Sequence, residues 1–318
     1  MRYLVPLALL LVGCLHEEIA PAAEPYAFRA PAHFPPPTYD FDRNPVTEAG
    51  VRLGQRLFEE PRLSRDVSIS CASCHQQVTA FADPQHRLSI GVDDRGGTRN
   101  APGLFNLAFR ETFMWDGGVS HLDFAGLPAI ESEVEMDSDL ATIVQRLWAD
   151  RAYREDFRRA FGRDTITSGL LFQALSQYQA MLVSDRSKYD EVLNGRTTFS
   201  PAEARGEGLF LAHCSGCHAG PLQTDGSFRN NGLAPGSDLG RATVTGLPGD
   251  RWRFRVPSLR NVGRTPPYMH DGRLPTLEAV LEHYTTNQAI PLTETDRTDL
   301  VAFLQTLTDW EFLADPRF

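Results

Sequence analysis

Apolar residues recur at helical spacing in separate stretches of this chain, and the strict alternation of a strand is scarce. The pattern predicts a helix from Thr47 to about Glu60, then Gly- and Pro-containing loops from Ser64 to Pro128. Helical periodicity returns over Asp139–Ala149. It is strongest where Leu171, Leu175, Tyr178 and Leu182 share one face. Ser200-Pro201-Ala202-Glu203 reads as a capping box with proline at the first helical position. Thr293-Glu294-Thr295-Asp296 opens a last helix carrying Leu300, Leu304 and Leu307. Near the start, Arg2 precedes an apolar run through Leu7, Leu9, Leu10, Leu11 and Val12. That run is too short to span a bilayer and reads as a secretory leader over 1–13. From Leu15 to about Asn44 the chain is rich in Pro and Ala without helical period, the pattern of a tether over 14–44.

Length and charge narrow the picture. The 318 residues suit two domains of ordinary size, expected over 45–190 and 191–318. The formal net charge is −10, and −11 once Arg2 is removed with the leader. An acidic surface argues against nucleic acid and is compatible with a basic protein partner. Leu11-Val12-Gly13-Cys14 resembles the bacterial lipoprotein cleavage box, in which Cys14 becomes the lipidated first residue. The other reading is an ordinary leader with an incidental cysteine. Either way the chain is expected to be exported, periplasm-facing, and in contact with a membrane only through that anchor.

Five cysteines are present, and four of them stand in two Cys-x-x-Cys-His strings. These are Cys71-Ala72-Ser73-Cys74-His75 and Cys214-Ser215-Gly216-Cys217-His218. Two thiols on one helical turn can form thioethers to the two vinyl groups of one haem, and the histidine that follows reaches the iron. A single string could be a zinc half-site or a redox dithiol, but no further Cys-x-x-Cys is present to complete a zinc site. The expectation is a mainly α protein of two cytochrome c-like domains, each with one covalent haem c. Each string follows a related segment, Leu53-Gly54-Gln55-Arg56-Leu57-Phe58 in the first half and Arg205-Gly206-Glu207-Gly208-Leu209-Phe210 in the second, as in a loose internal duplication.

The sequences around the strings resemble the bacterial dihaem cytochrome c peroxidase and MauG superfamily, nearest its MauG/MbnH-like branch, over nearly all of residues 45–310. The anchors are Ile69-Ser70 before the first string, Arg99-Asn100-Ala101-Pro102, Trp115-Asp116-Gly117, Val134-Glu135-Met136, Val256-Pro257-Ser258-Leu259-Arg260-Asn261 and Thr265-Pro266-Pro267-Tyr268-Met269-His270-Asp271-Gly272. The resemblance implies that the first haem meets peroxide while the second manages electrons. It also implies that Glu135 is the acid–base residue above the first iron, with Glu131 and Glu133 solvated. Trp115 would carry charge between the haems. Asn100, Thr265 and Pro267 match positions that supply oxygens to a calcium ion at the domain junction.

Departures from the family pattern carry further expectations. Many of the peroxidases read Ser-x-Gly-His where this chain reads Ser89-Ile90-Gly91-Val92, and that histidine blocks the iron until the other haem is reduced. Valine has no lone pair, so the first haem is expected to be five-coordinate and open to peroxide. His86 could substitute but reads as a surface loop residue. The peroxidases place a methionine fourteen residues after the histidine of the Pro-Tyr-x-His string, and here the same count from His270 reaches Tyr284. MauG and MbnH use tyrosine there, an anionic donor that favours ferric and higher states. His283 and Met269 are rival ligands. Phe124-Ala125-Gly126-Leu127-Pro128 lacks the expected distal glutamine, and the pocket should be more apolar for it. MauG's surface tryptophan before its second string is replaced by Ala212, leaving Trp252 and Trp310 as candidate exits for charge.

The leading functional expectation is a peroxide-dependent oxidoreductase of the MauG/MbnH type, storing two oxidising equivalents on its haems to oxidise aromatic residues, tryptophan above all, of a partner protein. The alternative is a dihaem cytochrome c peroxidase that reduces hydrogen peroxide with electrons from a small cytochrome c or cupredoxin. A third reading, from another class, is a non-enzymatic electron relay or haem sensor.

Overall fold

The computed structural model describes residues 27–318. The leader expected over 1–13 and the lipidation site Cys14 lie outside the described residues.

The fold is mainly helical and built around two apolar cores, one in each half, with a third cluster where Phe34 and Tyr39 meet Leu107, Phe109 and Phe113. In the first half, α1 (Glu48–Phe58) is followed by α2 (Cys71–Cys74), α3 (Leu127–Glu131), α4 (Leu140–Ala149), α5 (Arg151–Phe161) and α6 (Ser168–Met181). The second half holds α7 (Lys188–Leu193), α8 (Pro201–His213), α9 (Ala242–Thr245), α10 (Leu277–Asn287), α11 (Glu294–Gln305) and α12 (Trp310–Leu313). Helix starts follow local chemistry. Thr47 caps α1 by accepting from Gly50 N, and Asp139 caps α4. Ser200 with Glu203, and Thr293 with Asp296, close reciprocal capping boxes on α8 and α11. The one ladder of two residues per strand among the described residues pairs β1 (Phe228–Arg229) antiparallel with β2 (Phe254–Arg255).

Each half is organised by one helix crossing at which a glycine lets two backbones touch. A Cβ on Gly54 of α1 would lie 2.0 Å from the carbonyl oxygen of Ala174 on α6, and one on Gly206 of α8 would lie 2.0 Å from that of Asp299 on α11. The related segments that precede the two haem strings thus perform the same packing task. Around the first crossing Leu57, Ile143, Phe157 and Leu171 are wholly buried, and around the second Phe303 is. Leu175, Tyr178 and Leu182, which share the α6 face with Leu171, are buried as well.

Two segments depart from the expected organisation. Residues 28–44, expected to be the end of a tether, pack against the body, because the segment carries its own aromatic residues. Phe28 stacks on Phe41 at 4.4 Å, Phe34 meets Phe109 edge-on at 5.2 Å, and Tyr39 donates to Asp123 at 2.7 Å. At the other end α11 is not the last helix. α12 follows it and returns to the first core, where Phe312 lies 5.8 Å from Phe81 and Gln77 donates to the carbonyl oxygens of Phe312 and Asp315. A buried ion pair within the second half also holds the N-terminal segment: Arg260 reaches Asp190 at 2.6 Å, and His33 reaches the same carboxylate at 2.9 Å. Among the described residues no helix is long and apolar enough to cross a membrane.

Candidate haem sites and the junction between them

Both strings adopt the same turn. His75 N–H donates to Cys71 O at 3.0 Å, and His218 N–H donates to Cys214 O at 3.0 Å, so each histidine is folded back over its first cysteine. Each imidazole is then oriented by a carbonyl from a residue with left-handed backbone. His75 Nδ1 donates to Phe81 O at 2.6 Å, while His218 Nδ1 is shared between Gln223 O and Pro257 O at 3.2 Å each. Phe81 and Gln223 have φ of 58° and 54°. A carbonyl can only accept, so Nδ1 carries the proton and Nε2 keeps its lone pair for a metal. Burial holds both imidazoles below the usual histidine range, which favours the neutral form that ligation needs.

The cysteines fit thioether chemistry better than dithiol chemistry. Burial pushes the Cys71 thiol up to about 12, and the Cys74 and Cys214 thiols up to about 11. Redox dithiols and thiolate metal sites depend on depressed values. No disulfide joins the four described cysteines, and among the described residues no group of three or more His, Cys, Asp and Glu side chains is arranged to hold a metal ion. Two half-buried cysteines and one oriented imidazole per turn are the donor set of a covalent haem.

Around the first string, Cys74 Sγ lies 4.0 Å from Ile90 O, and Val92, wholly buried, donates its N–H to Glu135 O at 2.8 Å. The Glu135 loop is thereby fixed beside the string. Burial pushes the Glu135 carboxyl above the usual range, opposed by the Arg99 guanidinium, whereas Glu131 and Glu133 are exposed. His86 is 45% exposed and paired with Asp83 at 3.1 Å. Phe124, in the segment lacking the distal glutamine, is half exposed against His121 and Phe172.

A cavity of about 350 Å³ opens beside the second string, lined by Cys214, Cys217, His218, Met269, Tyr284 and Trp115 among others. Burial, with Cys214 and Cys217 nearby, pushes the Tyr284 phenol up to about 12. The rival His283 is fully engaged: Nε2 donates to Asn231 O at 2.8 Å, and Nδ1 accepts from Asn287 Nδ2 at 3.0 Å. Asn231 also donates its side-chain amide to Met269 Sδ at 3.1 Å. Asn231 therefore holds both rival ligand candidates, a role that one of two adjacent asparagines before Gly232 does not advertise in sequence. Neither do Phe81 and Gln223, whose part is played by backbone oxygens.

Trp115 sits where the halves meet. Its indole N–H donates to Asn100 O at 2.8 Å, and its own carbonyl accepts Arg255 N–H at 2.7 Å. Arg99 binds Asp116 at 2.6 Å and, across the junction, Asp238 at 2.7 Å. Asn100, Thr265 and Pro267 line the same cavity. The Asn100 amide nitrogen donates to Arg87 O at 3.1 Å, so its oxygen is the atom left to a cation. Of the two exit candidates, Trp310 is 63% exposed with the Arg264 guanidinium 5.3 Å above its ring, and Trp252 donates to Gly236 O at 3.3 Å. Ala212 is exposed.

Known proteins share this arrangement. The pattern of the family described as di-haem cytochrome c peroxidase matches residues 48–198, and that of cytochrome c matches residues 203–308. The methylamine utilization protein MauG of Methylorubrum extorquens is 37% identical over 88% of this chain and 83% of its own. The cytochrome c551 peroxidase of Nitrosomonas europaea is 35% identical over 81% of this chain and 79% of its own. A crystal structure of a MauG-like protein associated with microbial copper homeostasis superposes with a TM-score of 0.86 at 33% identity, covering 92% of this chain and 98% of that one. With two haem-type turns on two such domains, the chain is an oxidoreductase that belongs to the bacterial dihaem cytochrome c peroxidase and MauG superfamily.

Proposed function

We propose that this enzyme reduces hydrogen peroxide to water at the first site, taking two electrons and two protons per peroxide, with the electrons delivered through the second site by a protein redox partner. The observation that carries the reading is the half-buried Glu135, whose backbone is fixed beside the first string by the Val92 N–H···Glu135 O bond. Bound haem supplies the redox-active iron. Glu135 takes the proton from the near oxygen of peroxide and returns it to the far one, which makes water the leaving group. Val92 offers no ligand, so peroxide reacts without prior reduction of the second site. Trp115 relays charge across the junction, its ring held by Asn100. The test mixes fully oxidised protein with peroxide and a reduced small cytochrome c or cupredoxin. Two donors oxidised per peroxide, with no lag for pre-reduction, is the expected result. Peroxide left unconsumed sinks the reading.

A second reading is favoured by Tyr284. With His283 engaged on both nitrogens, the tyrosine is the oxygen donor available beside His218, and a phenolate would stabilise oxidised iron. The oxidising equivalents would then be held on the two haems and taken from aromatic residues of a partner protein, a tryptophan among them. Peroxide-dependent oxidation of a partner's tryptophan without a reduced donor would favour this reading. We also propose a calcium ion at the junction, on Asn100 Oδ1 and the carbonyl oxygens of Thr265 and Pro267, the hard donors that calcium takes. An exported, periplasm-facing chain anchored through Cys14 completes the proposal.

A further inference from the structure

Two guanidinium groups lining the cavity of the second site have no carboxylate partner among the described residues. Arg260 has Asp190, and Arg99 has both Asp116 and Asp238. Arg255, on β2, is 5% exposed, and its Nε donates to the carbonyl oxygen of Met114 at 3.3 Å. Arg110, half-buried, donates through Nη2 to the carbonyl oxygen of Phe105 at 3.0 Å. Among the described residues no Asp or Glu pairs with either. Both line the cavity that holds Cys214, Cys217, His218 and Tyr284, whose wall is otherwise largely apolar.

An isolated cation in such a place is costly, and the cost is visible here. Burial lowers Arg255 to about 10, and burial together with the charge of Arg255 lowers Arg110 well below its usual range. Two like charges lining one cavity call for negative charge to compensate them. A haem brings two carboxylates. With its vinyl groups taken by Cys214 and Cys217, the carboxylates would be left to other residues that line the same cavity. Guanidinium is suited to them because its planar fork binds a carboxylate through two parallel hydrogen bonds.

We propose that Arg110 and Arg255 hold the two carboxylates of the haem carried by Cys214, Cys217 and His218. The proposal rests on the reading that this string carries a haem. It also gives Arg255 a second task. Its backbone donates to Trp115 O at 2.7 Å and its side chain to Met114 O, so the haem edge and the Trp115 segment are fixed by one residue. The two cations raise the potential of the second haem, and removing either favours its ferric form.

The experiment uses the loaded full chain with Arg255→Gln, Arg110→Gln and Arg255→Lys, read by covalent haem per chain and by separate midpoint potentials of the two haems. Two haems per chain are expected throughout. In each Gln variant the second haem's ferric/ferrous equilibrium shifts at least tenfold toward ferric, about 59 mV for one electron, while the first haem stays in place. Arg255→Lys keeps the cation and stays within about threefold of the parent, the response of charge rather than of packing. Unchanged potentials, equal shifts in the Gln and Lys variants at position 255, or a shift confined to the first haem would overturn the proposal while leaving the haem reading intact. If Arg255→Gln fails to load its second haem, Arg110→Gln decides by the same potentials. A parent chain with no haem on Cys214 and Cys217 would overturn the haem reading itself.

Discussion

Trp115 donates its indole N–H to the carbonyl oxygen of Asn100 at 2.8 Å, and this one bond fixes the plane of an aromatic ring at the junction of the two halves. Trp115→Phe keeps a ring but loses the donor and leaves Asn100 O unpaired, at about 1 kcal/mol. The expected outcome is a folded protein with two haems whose second haem no longer responds promptly when peroxide meets the first. Rapid-mixing absorbance at the two haems measures this, and an unchanged rate of response would remove Trp115 from the relay.

Glu135→Gln should slow the reaction with peroxide by about two to four orders of magnitude, the range of one general acid–base group. The parent should also show an acid limb in its rate. The group must be ionised to accept a proton, and burial raises its value above the ordinary carboxyl of about 4.3, so the limb lies at higher pH than for a free glutamate. Stopped-flow rates across pH test both statements. A limb that persists in Glu135→Gln assigns it to another group.

At the second haem, Tyr284→Phe should change the low-temperature EPR signal of one haem and leave the other as it was. Met269→Leu should leave both signals in place, and His283→Ala should cost stability through the lost bonds to Asn231 and Asn287. A spectrum that follows Met269 instead would transfer the ligand role and strengthen the peroxidase reading.

The Arg260–Asp190 pair has both side chains fully buried. Arg260→Met should destabilise the fold by about 3 kcal/mol or more, because the buried Asp190 carboxylate loses its guanidinium and keeps only His33 and Ser187 as partners. Burial alone would push the Asp190 carboxyl up, but Arg260 holds it below the usual range. Its contribution is therefore complete above the ordinary aspartate value of about 3.9 and is lost as pH falls through the depressed folded value. Chemical denaturation of parent and variant at neutral and acid pH should show the gap narrowing with acid.

The two glycine crossings, on α1 and α8, make opposite predictions from a third glycine, Gly208, also on α8. Gly54→Ala and Gly206→Ala each drive a methyl against a carbonyl at 2.0 Å and should cost about 1–3 kcal/mol. Gly208→Ala, with nothing within 4 Å, should stabilise α8 by about 0.5–1 kcal/mol. Thermal melting of the three variants decides.

Features legible in the sequence are those whose cause is local. The two Cys-x-x-Cys-His turns, the capping boxes at Ser200 and Thr293, the buried face of α6 and the paired Gly-x-x-Leu-Phe segments each depend on residues three or four positions apart, which the helix itself brings together. α5 was legible by the same rule, through Tyr153, Phe157 and Ala160, but its many charges hid the apolar stripe. Other features depend on residues that are distant along the chain. That His283 is engaged follows from Asn231, 52 positions away, and the docking of residues 28–44 follows from aromatic partners near position 109. The return of α12 into the first core rests on Gln77 and Phe81, more than 200 positions upstream. Arg110 and Arg255 are unremarkable surface-type residues until folding places both in one cavity without an acid. A helical period encodes which face is apolar but not which distant face it meets. The closure of these long loops, and the buried charges they bring together, were decided by tertiary packing alone.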